Sequence, residues 1–184
     1  MAILVSDQHI YLTTAFSPGW IYELTYEASS PLVLDLGFAG VRDLISFLRN
    51  DKTAANPLSE HAETPIDFTY GWGRSQAGRA IRDFIYRGFN IDTKGKKVFD
   101  GMITHIAGGG RTTMNRFSNL VIAASRQYED FLNPSDTFPF SYAMTRDHLT
   151  GREDAITKRP ETDPHVIHTQ TASEYWYRRG SLVH

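Results

Sequence analysis

Apolar and polar positions along the chain switch between two periods. Residues 10–14 and 20–26 are β-rich, and the second run alternates, so strands are predicted there. Ser17-Pro18-Gly19 marks a turn between them. The run 31–37 is apolar but bracketed by Pro31 and Gly37, and is ambiguous. Phe38, Val41, Leu44, Ile45 and Leu48 then recur at helical spacing, which predicts a helix over 39–49. A polar loop over 50–65 follows, ending in Pro65. Ile66 to Tyr70 reads as a strand, and Ile81, Phe84, Ile85 and Phe89 place a helix over 76–87 that stops near Gly88. A further strand is predicted over 98–107, ending in Gly108-Gly109-Gly110, and another over 164–171. This alternation argues for a parallel α/β sheet. Residues 111–162 interrupt it, with a helical stretch over 114–131 and then an aromatic run containing Phe138, Phe140 and Tyr142. The expectation is one domain over 1–184, with 111–162 as a cap or lid insertion.

Composition narrows the chemistry. The chain has 184 residues, enough for one domain with a core, and a formal net charge of −2. That balance gives no electrostatic case for nucleic acid or an anionic membrane as partner. Cysteine is absent, so disulfides, thiolate metal sites and a cysteine nucleophile are excluded. No apolar run approaches the roughly 20 residues that span a bilayer. Met1 to Val5 is too short for a signal peptide, and the compartment is left open, since a longer form could carry an export signal. His165 and His168 are three apart on a predicted strand and point to opposite faces, so they do not form a ligand pair. No metal and no cofactor are expected.

One stretch carries the candidate chemistry. Glycines crowd a serine in Gly71-Trp72-Gly73-Arg74-Ser75-Gln76-Ala77-Gly78, between a predicted strand and a predicted helix. This is the arrangement of a nucleophile elbow, whose usual pattern is G-x-S-x-G. Here alanine takes the last position and glycine comes one later, and alanine is small enough for the turn. Two readings stay open on these residues alone: a nucleophilic serine, or a Gly-rich turn whose serine caps a helix.

The segment Tyr70 to Arg79, with Arg82-Asp83-Phe84, Gly88-Phe89-Asn90, Val98 to Gly101, Ala107 to Arg111, Asn115-Arg116-Phe117, Phe138-Pro139-Phe140, Ser173 to Trp176 and Gly180 to His184, resembles a bacterial family described as alpha/beta hydrolase domain proteins. Pro18 to Glu23 and Gly37 to Asp43 extend the likeness upstream. Members of that family are much longer, so the chain resembles an internal piece of one. The resemblance implies an α/β fold class, a partial α/β-hydrolase fold with a mainly parallel sheet, flanking helices and a cap insertion.

On that footing the expected function is a serine hydrolase acting on an ester or related acyl bond of a small molecule. Ser75 is the nucleophile. Glu174 follows a late strand, in the slot of the triad acid. The N–H of Gln76 is one oxyanion donor, and the loop at Glu27-Ala28 is the candidate for the other, with Ala28 as the residue named. The chain order of the triad requires a histidine after Glu174. Of the seven histidines, His9 and His61 precede Ser75, His105, His165 and His168 lie in predicted strands, and His148 is in the cap region. His184 comes only ten residues after Glu174, which leaves little room for a strand and a return loop. The resemblance implies a base beyond His184. The alternatives are a non-catalytic truncated fragment and a small-molecule-binding domain on the same fold. Oligomeric state is not legible.

Overall fold

The computed structural model describes residues 2–6, 9–20, 22, 27, 29–30, 36–59, 66–112 and 137–184. The chain divides into two compact units, Met1–Pro31 and Leu32–His184. In the first, β1 (Ala2–Ser6) and β2 (His9–Leu12) form an antiparallel pair in which Ile3 faces Tyr11 and Leu4 faces Ile10. Most of the expected strand over 20–26 (all but residues 20 and 22), the run 31–37 up to residue 35, the helix over 114–131 and Ala28 lie outside the described residues.

The second unit is built on three parallel strands in the order β3 (Tyr70–Arg74), β4 (Gly101–His105) and β7 (His165–Thr169). Gly73 pairs with Thr104 and Thr104 with His168; one row on, Arg74 pairs with His105 and His105 with Thr169. Helix α1 (Gly37–Asn50) precedes the sheet, α2 (Gln76–Tyr86) joins β3 to β4, and α3 (Ala172–Tyr177) follows β7. A short antiparallel pair, β5 (Thr145–Arg146) with β6 (Glu153–Asp154), lies between β4 and β7.

The first strand of the sheet falls later than its β-rich residues predict. Residues 66–69 are held instead by side chains. The Asp100 carboxylate accepts from the Thr69 N–H at 2.9 Å and pairs with Arg49 at 2.9 Å, while Arg49 Nη2 donates to the Asp67 carbonyl at 2.6 Å. The ladder runs through Gly71 and Gly73 because neighbours press on them. A Cβ on Gly71 would stand 3.2 Å from the Met102 side chain, and one on Gly73 only 2.6 Å from the Ala77 carbonyl oxygen.

Both connections run the same way across the sheet. Right-handed crossovers in one direction put their connecting segments on one face. Helix α2 and the described part of the β4–β7 connection pack on one face. On that face Phe84, Ile85, Phe99, Met102 and Ile156 form one apolar cluster with Phe38 of α1. The α1 stripe is only partly used: Phe38 is buried, whereas Val41 and Leu44 are exposed. The 137–158 segment is fastened to α2 through Tyr86. Arg111 and Lys158 each stand 4.1 Å from the Tyr86 ring, and its hydroxyl donates to Asp154 at 2.8 Å.

The opposite face of the sheet is bare among the described residues. Alternation along the strands puts Tyr70, Trp72, Ile103 and Ile167 there, and they are 73%, 65%, 37% and 60% exposed. Phe68 stacks on Tyr70 at 6.5 Å, and Trp72 on His105 at 6.3 Å. Parallel sheets ordinarily carry cover on both faces.

Candidate functional site

Ser75 sits between the last residue of β3 and the first of α2. Its backbone is at φ 54°, ψ −115°, a conformation that side-chain-bearing residues rarely adopt. The fold imposes it. The Ser75 N–H donates to the His105 carbonyl at 2.9 Å, which carries the sheet pairing one residue past β3, and its own carbonyl accepts from Arg79 N–H at 3.0 Å, which opens the helix. The chain has no residue to spare between the two. Such a turn needs α2 pressed onto the strand end. Gly78 permits this: a Cβ there would meet the Gly73 carbonyl oxygen and the Ala107 Cβ at 3.0 Å.

A capping serine has extended dihedrals and accepts from an N–H two or three residues on. Ser75 has neither property: φ is positive and its hydroxyl makes no capping bond. The side chain is exposed. The N–H groups of Gln76 and the next residues lack intrahelical partners, as in any first turn, and the positive end of the α2 dipole lies beside the serine. Gln76 is exposed at the start of α2.

Glu174 lies on α3, which begins after the C-terminal end of β7. Because β3, β4 and β7 are parallel and in register, Ser75 and α3 both follow the C-terminal edge of the sheet. Thr171 caps α3. Its hydroxyl accepts from the Glu174 N–H at 3.4 Å and donates to the Glu174 carboxylate. The Gly108 to Gly110 stretch emerges from β4 between these two positions.

Three of the histidines after Ser75 have other partners. His105 Nδ1 bonds the Thr169 hydroxyl at 2.8 Å, and His168 Nδ1 lies 2.8 Å from the Thr104 hydroxyl and 3.0 Å from the Tyr142 hydroxyl. Burial, with the nearby Arg82 cation second, pushes His168 down to about 4, so it is neutral near pH 7. The His184 ring stacks on Tyr175 at 5.8 Å. Among the described residues, neither Ser75 nor Glu174 is hydrogen bonded to an imidazole, and no cluster of three or more His, Asp or Glu side chains could hold a metal. Ala28 is not among those residues, so the second oxyanion donor has no described geometry.

The least expected residue is Arg82. It is fully buried, and its guanidinium donates to the carbonyls of Gly110 and Gly109 at 3.1 Å each and of Phe140 at 2.6 Å. The Tyr142 ring lies 5.0 Å away. A signal for its burial was present in the sequence: position 82 stands four after Gly78 and three before Ile85, within the buried stripe of α2. Charge hid it.

No curated protein and no solved structure matches the chain. A family model, the alpha/beta hydrolase domain, matches residues 4–182. Strand–serine–helix geometry and parallel register agree with that match, and the chain belongs to the alpha/beta hydrolase domain family.

Proposed function

We infer that the protein is a serine hydrolase that cleaves an ester or related acyl bond through an acyl-enzyme on Ser75. The observation that carries this reading is the positive φ of an exposed serine that caps nothing, at the parallel sheet's C-terminal edge. Such a turn is a nucleophile elbow: it lifts the hydroxyl clear of the strand and sets it beside the free N–H groups of the following helix. The Ser75 hydroxyl passes its proton to the base as its oxygen attacks the carbonyl carbon, the carbonyl oxygen becomes an oxyanion facing the Gln76 N–H, and collapse breaks the bond to the alcohol oxygen, which leaves with that proton. Water then releases the acid. Loss of one oxyanion donor typically costs about 100- to 1,000-fold. Glu174 is the acid that orients the general base and stabilises its cation. The base itself is a histidine that does not bond Ser75 or Glu174 among the described residues. Without it turnover falls near a million-fold, to the residue left by the oxyanion site and binding.

Two measurements test the reading. A fluorophosphonate probe is expected to modify Ser75, located by peptide mass spectrometry, and Ser75→Ala abolishes the adduct. Hydrolysis of a short-chain nitrophenyl ester is expected to be slow, dependent on Ser75, and raised by added imidazole acting as a free base. An unmodified Ser75, with ester turnover unchanged in Ser75→Ala, would favour a binding domain on the same fold.

A further inference from the structure

We propose that Arg82 is a positioning residue that sets the place of the Glu174 helix relative to Ser75; this rests on the hydrolase reading above. Burying a guanidinium without a carboxylate is costly unless its donors are satisfied; here Nη1 is buried with no partner among the described residues, and an apolar side chain would fill the same volume without that cost. Arg82 spends its hydrogen bonds on main-chain carbonyls from two separate segments, 109–110 and 140. It thereby ties the loop leaving β4 and the aromatic segment to α2, the helix that begins at Ser75.

The same loop supports α3. The Gly109 N–H donates to the Arg178 carbonyl at 2.7 Å, and the Arg178 N–H donates to the Glu174 carbonyl at 3.1 Å. The approach is too close for any side chain. A Cβ on Gly108 would lie 2.7 Å from the Arg178 carbonyl oxygen, and one on Gly109 2.6 Å from that of Arg179. Gly108 also has φ 63°, so a side chain there would be strained as well as crowded. A connected path therefore runs from α2 through the Arg82 fork to Gly109, to Arg178 and to Glu174. The two helices that carry Ser75 and Glu174 at their starts are braced against one loop, and one side chain holds that loop.

Arg82→Met and Arg82→Lys test this by two independent readouts, each normalised to the folded fraction from circular dichroism. In amide hydrogen exchange, Gly109 is expected to exchange about tenfold faster in Arg82→Met, while β4 amides keep their protection. In phosphonylation kinetics with added imidazole as the base that Glu174 orients, the maximal rate constant at Ser75 falls about 100-fold, the scale of an ångström-level misplacement, with probe affinity unchanged. Arg82→Lys keeps the charge but not the fork, so it recovers part of both, and it decides the matter if the methionine variant does not fold. Unchanged Gly109 protection, or an unchanged rate constant per folded molecule, overturns the proposal. A wild-type Ser75 that does not react even with added imidazole overturns the hydrolase reading instead, and the exchange readout still decides whether Arg82 holds the loop.

Discussion

Ser75 holds a conformation that side chains resist, and the surrounding bonds keep it there. Positive-φ strain of this kind costs of order 1–3 kcal/mol. Ser75→Gly is therefore expected to raise stability by about 1 kcal/mol in urea unfolding, since glycine populates positive φ freely, while removing all fluorophosphonate labelling. A serine that served as an ordinary cap would show the reverse, a loss on substitution. His168, on the far strand of the same sheet, gives a pH prediction. Its folded pKa of about 4 lies below the unfolded value near 6.5. A histidine held neutral contributes stability that is present above the unfolded pKa and is lost as pH falls from about 6.5 to about 4. Because the ring is only part-buried, the loss is of order 1 kcal/mol after solvent screening. His168→Gln is expected to flatten the stability profile across that window.

At the scale of elements, the helix following Ser75 and the strand before Glu174 were legible because their patterns are strong. The stripe through Phe84 and Ile85 and the run His165–Thr169 are both found where periodicity puts them. The strand entering the serine turn was not legible to the residue. Ile66 to Thr69 have the better β-forming side chains, yet Asp100 and Arg49 take their backbone groups, and the ladder passes to the glycines. Propensity scores a glycine as a strand breaker; it does not score the Met102 and Ala77 atoms that require its bareness. Arg82 was missed for a similar reason, since polarity implies a solvated face until the carbonyls that bond its Nε and Nη2 are known. The threonine before α3 is a cap that also holds Glu174. Thr171→Ala is expected to cost about 1 kcal/mol of stability. It also frees the Glu174 carboxylate, which side-chain carboxyl NMR would detect as a change in its chemical shift.

At the scale of the whole second unit, one-way winding explains why Tyr70, Trp72, Ile103 and Ile167 stand uncovered among the described residues. The chain is expected to bind a hydrophobic dye such as ANS in its folded state. The double variant Trp72→Lys, Ile167→Thr should lower that fluorescence severalfold, with stability changed by no more than about 1 kcal/mol, because exposed substitutions rarely cost more. Dye binding that persists in the double variant would place the apolar surface elsewhere. The same winding also has a consequence in time. Strands join the sheet in the order in which they are made, and between His105 at the end of β4 and His165 at the start of β7 lie 59 residues. At synthesis rates of about 5–20 residues per second, β4 waits roughly 3–12 s for its second neighbour. Throughout that interval the growing chain offers an unpaired parallel edge beside a bare aromatic face, the moment at which a ribosome-bound chaperone has most to protect.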